Sequence, residues 1–222
     1  MRFRVLSLSL LAVVASGAHA ADKDVEAILK TLRENYQKVK TARLEVTSVI
    51  ADPESGSDIS LNSVMSYKGP GSVRIVAKGP TMPGSYLLYV TDSKQALVRT
   101  PDGKSSTKKF DADEVAVPLN LESLCFWDYK RQLSTAAGMN MHDSKLRLLK
   151  KETWKDKDYM VLEEKAERSK VFVRYFIDPA TKYIVRTVVY NLEDTTEILQ
   201  DHKVTKFELN PKLDANLFKL KA

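Results

Sequence analysis

Most of the sequence between residues 42 and 207 places apolar side chains at every second position, and this alternation limits the fold more than any other feature. Leu44 and Val46, for example, alternate with Arg43, Glu45 and Thr47. A period of two is typical of strands that bury one face of a sheet. Clusters of Gly, Pro, Asp and Ser separate short segments of this kind, which indicates an antiparallel meander. The predicted strands are 42–51, 59–67, 73–77, 86–91, 95–100, 104–110, 145–153, 158–166, 170–177, 183–191 and 196–207.

A segment with helical periodicity precedes the strands. Apolar side chains recur there every three or four residues, and charged residues fill the opposite face, so we predict an amphipathic helix with Asp24 as its N-cap. A stripe of this kind is more often a packing face than a partner site. It consists of Val25, Ile28, Leu29, Leu32, Tyr36 and Val39.

Residues 111–142 interrupt the series of strands. Within them, the segment 121–129 is predicted to be a helix that begins after Asn120. Its apolar side chains occupy more than one stripe, so this helix requires cover on more than one side. The Met-containing loop 136–141 follows, and the insert is either a crossover between two halves of a sheet or a movable lid, because Met adapts to irregular ligands. We expect an α+β fold that is mainly β, in a single domain over residues 21–222.

The N-terminus has the three parts of a secretory signal peptide in their usual order. Arg2 and Arg4 form the positively charged part, residues 5–14 the apolar run, and Ala18-His19-Ala20 the small-residue cleavage site. A membrane-spanning helix needs about 20 apolar residues, more than this run provides. We therefore predict that residues 1–20 are a signal peptide cleaved after Ala20, and that the mature protein works in the cell envelope or outside the cell.

Charge and cysteine content exclude several classes of protein. The formal net charge is +6, and removal of Arg2 and Arg4 with the signal peptide lowers it by two. The remaining charges of both signs are interspersed, whereas nucleic-acid binding requires clustered Lys and Arg, so no nucleic-acid partner is expected. Cys125 is the only cysteine, so an internal disulfide cannot form. Its apolar neighbours indicate a small hydrophobic side chain rather than a nucleophile.

The sequence contains none of the common catalytic motifs, and we predict neither an enzyme nor a metal or cofactor site. His142 and His202 stand apart in the sequence without an ordered pattern of carboxylates, which is weak support for metal binding. His202 is expected to be a solvated or a sheet-face side chain. The adjacent carboxylates Glu163 and Glu164 are expected to be ordinary surface or helix-start residues.

Four segments, in order along the chain, resemble the LolA-like family of periplasmic lipoprotein carriers. Residues 36–47 (YQKVKTARLEVT) resemble its junction between the first helix and the first strand, and 89–101 (YVTDSKQALVRTP) resemble one of its hairpins. Residues 177–182 (IDPATK) are similar to a family turn, and 210–218 (NPKLDANLF) to its closing segment. The family also includes outer-membrane receptors and lipid-sensing regulators.

This resemblance implies an unclosed antiparallel β-barrel of about eleven strands, with a helical insert over its mouth and an apolar cavity between them. The implied function is that of a monomeric carrier, located in the periplasm, whose cavity shields the acyl chains of a lipid or outer-membrane lipoprotein. Its implied partners are an inner-membrane transporter and an outer-membrane acceptor. The alternative is a lipid-responsive sensor or protein-interaction module of the same fold, and a packed interior without a cavity would indicate a structural or enzymatic protein instead.

The cavity walls follow from the alternation and the resemblance together. In family members an arginine before a proline bonds to the lid and holds it closed. Gly69 occupies that position here, and Arg74 is the candidate to replace it. The predicted lipid-cavity residues are Leu44, Val46, Leu61, Met65, Val73, Ile75 and Leu88 from the strands, and Leu121, Leu124, Phe126 and Trp127 from the insert.

Overall fold

The computed structural model describes residues 10–52, 54–69, 72–79, 87–92, 94–109, 144–166 and 169–220. Within these ranges the chain forms one α-helix, eleven β-strands and a short 3₁₀ helix, Ala215–Phe218. The helix α1 spans Leu10–Gln37. The strands are β1 Thr41–Ala51, β2 Asp58–Lys68, β3 Val73–Lys78, β4 Leu87–Thr91, β5 Gln95–Arg99, β6 Ser105–Lys109, β7 Ser144–Trp154, β8 Lys157–Ala166, β9 Val171–Ile177, β10 Ile184–Asn191 and β11 Ile198–Leu209.

All eleven strands form one antiparallel sheet in the order β6-β5-β4-β3-β2-β1-β11-β10-β9-β8-β7. Consecutive strands pair with each other, except for β6 and β7, and at the centre β1 pairs with β11. β6 and β7 lie at opposite ends of this order, so the sheet is open. The prediction of an unclosed antiparallel barrel of about eleven strands with an N-terminal helix is confirmed. The helix predicted at 121–129 lies outside the described residues.

The sequence alternation produces the burial pattern of the central strand. In β1, Ala42, Leu44, Val46 and Ser48 are buried, and the residues between them are more exposed. A β-bulge at Thr205 of β11, opposite Glu45 and Val46, shifts the register between the two strands. Bulges bend a strand and increase its twist, which helps an open sheet to curve.

Helix α1 packs through the stripe predicted from the sequence. Tyr36 stacks on Tyr183 with ring centroids 5.5 Å apart, and its hydroxyl accepts a hydrogen bond of 3.3 Å from the Ile184 N–H. Leu32 is almost fully buried. Asp24 is not an N-cap, because α1 begins at Leu10 and the apolar run continues directly into the amphipathic segment. No helix among the described residues is long and apolar enough to cross a membrane.

The two faces of the sheet have different characters. We call the face that contacts α1 the inner face, and the opposite one the outer face. The inner face belongs to one large apolar cluster that extends across the sheet and includes the α1 stripe. The outer face has two smaller clusters, one around Phe176 on β9 and one around Val90 on β4. The main core therefore lies between α1 and the inner face.

Candidate functional site

The inner face has a continuous apolar row that crosses six adjacent strands. Its members are direct cross-strand partners, and each is buried or packed against the buried core. With strands about 4.8 Å apart, the row is about 24 Å wide. No charged side chain interrupts it. From β5 to β11 it consists of Val98, Tyr89, Ile75, Met65, Leu44 and Phe207.

A cavity lies between α1 and the other half of the inner face. Its volume is about 130 Å³. Apolar side chains of the helix and of β8 and β9 form most of its wall, and Thr31 and Lys182 complete it. Protein interiors are normally close-packed, whereas α1 and the sheet leave this space in the apolar layer unfilled. The apolar members of the wall are Ala27, Ile28, Leu32, Met160 and Ile177.

Six of the seven cavity residues predicted on strands share the inner face: Leu44, Val46, Leu61, Met65, Val73 and Ile75. Whether they contact a ligand remains a prediction. The four predicted on the insert, Leu121, Leu124, Phe126 and Trp127, lie outside the described residues.

Leu88 is on the outer face, which corrects its predicted placement with the other six. It is the cross-strand partner of Val76 and packs with Val90 and Leu97. Its neighbour Tyr89 points inward and pairs with Ile75. The segment 87–90 is apolar at every position, so alternation could not indicate which set faces inward, and a slip of one residue exchanges the faces.

A polar network lies on the inner face at β1 and β11, and the sequence did not predict it. His202 is 0% exposed. Its Nδ1 atom lies 2.8 Å from the Ser48 hydroxyl, and its Nε2 atom lies 3.2 Å from Gln200 Oε1. Because an amide oxygen only accepts, Nε2 carries the proton, and Ser48 donates to Nδ1. Burial lowers the pKa of His202 to about 4, and the negative charge of Asp201 opposes this shift. The ring is therefore neutral at pH 7.

The carboxylates predicted at the surface are buried instead. Glu164 is 1% exposed on the inner face, where it accepts a hydrogen bond of 2.6 Å from the Tyr175 hydroxyl. Glu163 is on the outer face and binds Arg147 at 2.7 Å and Arg174 at 3.1 Å. Cross-strand partners supply these hydrogen bonds, and buried charges require such partners. A prediction that lacks strand register cannot identify them.

Of the two alternatives expected for His202, the structure shows the sheet-face side chain and not the solvated one.

Arg74 cannot act as a latch over the inner face. It lies between Val73 and Ile75, which both point inward, so its side chain is on the outer face. Gly69, at the family's arginine position, adopts a positive φ of 62° and donates its N–H to the Lys40 carbonyl. A backbone of this kind favours glycine.

Among the residues that the structure describes, no group of three or more His, Cys, Asp or Glu could hold a metal ion.

Known proteins resemble this chain in structure but not in sequence. No protein-family model matches the chain, and no curated protein matches it significantly. One similar structure is that of a LolA superfamily protein from Nitrosomonas europaea, which is 14% identical in sequence. The match includes 87% of this chain and 96% of that protein, with a TM-score of 0.38. The lipoprotein LppX from Mycobacterium tuberculosis is 12% identical, with 87% and 99% covered and a TM-score of 0.46.

A third similar structure is that of MucB in complex with MucA(peri). It is 14% identical, gives a TM-score of 0.48 and matches 89% of this chain, which spans 60% of the MucB chain. One of the three is named as a LolA superfamily protein, the family that the four sequence segments resemble. Because the three TM-scores are below 0.5, the function is inferred below from the residues of this chain.

Proposed function

We propose that this protein is a periplasmic carrier that shields the acyl chains of a lipid or of an outer-membrane lipoprotein on its inner face. The observation that supports this proposal is the apolar row across six strands, on the face that also bounds the cavity beneath α1. An open sheet can admit a long ligand from its edge, whereas a closed and filled barrel cannot.

The energetics favour an acyl chain as the ligand. Each methylene group that leaves water contributes about 0.8 kcal/mol, so an acyl chain binds through area alone and needs no directional contact. Release must then depend on movement of a covering element or on an acceptor with a more favourable site. The inner-membrane transporter and outer-membrane acceptor that the sequence resemblance implies would load and unload such a carrier.

The cavity beneath α1 provides a direct test of lipid binding. The mature protein is purified without detergent from its own periplasm, and an organic extract is analysed by mass spectrometry. We expect close to one lipid or acylated protein per chain. Ile28→Trp is expected to lower this amount several-fold, because the larger ring fills the cavity of about 130 Å³.

Glu26→Trp is the matched control, because it adds the same ring to an exposed position of the same helix. It is expected to retain the wild-type amount of lipid. A wild-type extract without any apolar ligand would contradict the proposal, and so would equal losses in the two variants.

A further inference from the structure

A second concave surface lies on the outer face, on the opposite side of the sheet from the apolar row. It is a groove of about 580 Å³ across β1, β2 and β3, and we call it the outer groove. Its volume is within the range of small-ligand and peptide sites. Its lining residues on the outer face of these strands are Arg43, Glu45, Thr47, Asn62, Val64, Arg74, Val76 and Lys78, and Thr205 of β11 also lines it.

Positive charge predominates in the outer groove. Arg43 and Arg74 are both cross-strand partners of Ser66, which places them about 10 Å apart. Lys78 follows Arg74 on the same face of β3, about 13 Å along the strand. The single carboxylate of the groove, Glu45, is 4.0 Å from the Lys206 ammonium group.

Arg74 and Lys78 of the outer groove differ from other cations on this face, which have carboxylate partners. On β10, Arg186 forms two hydrogen bonds of 2.9 Å to Asp201. On β9, Arg174 pairs with Glu152 and Glu163. Within the described ranges, by contrast, no carboxylate forms an ion pair with Arg74 or Lys78. The positive charge of β3 is therefore less neutralised than that of β9 and β10.

The floor of the outer groove between these cations is apolar. Val64 and Val76 are cross-strand partners there, and Val76 packs against the buried Leu88 and Val90. Arg74, Val76 and Lys78 occupy alternate positions of β3 and so point to the same side. The strand thus presents a cationic, an apolar and a second cationic side chain in a line.

We propose that the outer groove binds an acidic, extended segment of a partner protein. A chain with carboxylates four residues apart and an apolar residue midway matches Arg74, Val76 and Lys78, because extended chains share the rise of β3. Arg74 is half-buried within the concavity. A peptide strand can enter the groove to reach this guanidinium, whereas a flat anionic bilayer would meet mainly the exposed Arg43 and Lys78.

This site is independent of the lipid proposed for the inner face. Charge pairs at a partly exposed site determine specificity and association rate and weaken with salt. An acidic partner would therefore dock on the outer side of the sheet, while the inner side remains free to hold a ligand.

The test is an NMR titration of the ¹⁵N-labelled mature protein with the synthetic peptide Gly-Glu-Ser-Leu-Ser-Glu-Gly. We expect amide shifts concentrated in β1, β2 and β3, and binding that is at least tenfold weaker when 0.5 M NaCl is added. The double variant Arg74→Gln with Lys78→Gln is expected to weaken binding at least tenfold. Lys165→Gln removes an exposed cation of β8 far from the outer groove, so this variant is expected to bind the peptide as the wild type does.

Three results would overturn the proposal. They are the absence of shifts, equal binding by the double variant and the wild type, and equal binding of the peptide in which Gln replaces both Glu residues. A different outcome would assign the groove to lipid headgroups instead. In that case the wild type cosediments with phosphatidylglycerol vesicles, the double variant does not, and the wild type does not bind the peptide. Circular dichroism of each variant checks that the fold is intact, and lipid extraction reports separately on the inner face.

Discussion

His202 shows how the environment of a single side chain sets a property of the folded state. Its ring is enclosed between β1 and β11, with Ser48 and Gln200 as its hydrogen-bond partners. The neutral ring satisfies both contacts, whereas a second proton would place a positive charge in an apolar layer and remove the acceptor that Ser48 needs. Protonation is therefore coupled to unfolding.

We predict that stability falls with acid between about pH 6.5 and pH 4. The pKa of His202 is lowered to about 4 in the folded protein, so the unfolded chain takes up the proton first and stability is lost as the pH falls through this window. A shift of this size corresponds to a loss of about 3 kcal/mol. Urea unfolding of wild type and His202→Gln at several pH values measures it. The prediction fails if both proteins show the same slope of unfolding free energy against pH.

Individual side chains also show which features of the sheet can be predicted from the sequence and which cannot. The apolar alternation correctly assigned Leu44, Met65 and Ile75 to one face, because each of them has a polar neighbour on at least one side in the chain. It misplaced Leu88, since all its neighbours in β4 are apolar. The burial of Glu164 was not predictable either, because its partner Tyr175 comes from another strand whose register the sequence does not state.

At the scale of elements, strands were easier to predict than the helix. Turn clusters delimit the strands, and the part of the chain that the structure describes contains eleven strands where eleven were predicted. The helix was predicted to begin after Asp24, but α1 begins at Leu10. An acidic residue before an amphipathic stripe resembles an N-cap whether or not the preceding residues continue the helix.

Ion pairs on the outer face tie β10 to β11, and we predict that breaking one is costly. Arg186 and Asp201 are both largely buried in their pair. Burial acts to raise the pKa of Asp201, but hydrogen bonds from Arg186 and Lys203 outweigh it and hold the pKa below its ordinary value. Asp201→Asn would leave a buried guanidinium without its counterion, which costs about 3–5 kcal/mol.

Chemical unfolding measures this cost, with Glu208→Gln as the control. Glu208 pairs with Lys206 at 2.8 Å, but both side chains are substantially exposed. Exposed pairs contribute little to stability, so this control is expected to unfold like the wild type. An equal effect of the two substitutions would contradict the role assigned to burial.

At the scale of the whole molecule, the predicted signal peptide determines what the mature protein contains. Cleavage after Ala20 would remove the first part of α1 and leave the amphipathic stripe that packs on the inner face. The core described above involves residues from Val25 onward, so the mature chain retains it. The +6 formal charge would fall by two, and the protein would remain basic.

We predict that intact-mass measurement of the protein from the periplasm gives a chain that begins at Ala21. Ala20→Glu is expected to leave the precursor uncleaved, because the cleavage site requires small residues. Ser16→Ala retains small residues throughout and is expected to be processed normally. A precursor of full length in the wild-type periplasm would refute the cleavage.

The pairing of β1 with β11 has a consequence for how the chain reaches its folded state. These two strands are the first and the last in the sequence, yet they lie side by side at the centre of the sheet. Each half of the sheet is a run of consecutive hairpins, but the two halves can join only after the C-terminal strand has been synthesised. Contacts between distant parts of a chain form slowly. Until β11 has been synthesised, the polypeptide therefore lacks the pairing that joins the two halves of the sheet. If the chain is exported as its N-terminus predicts, this pairing would be completed only after β11 has crossed the membrane.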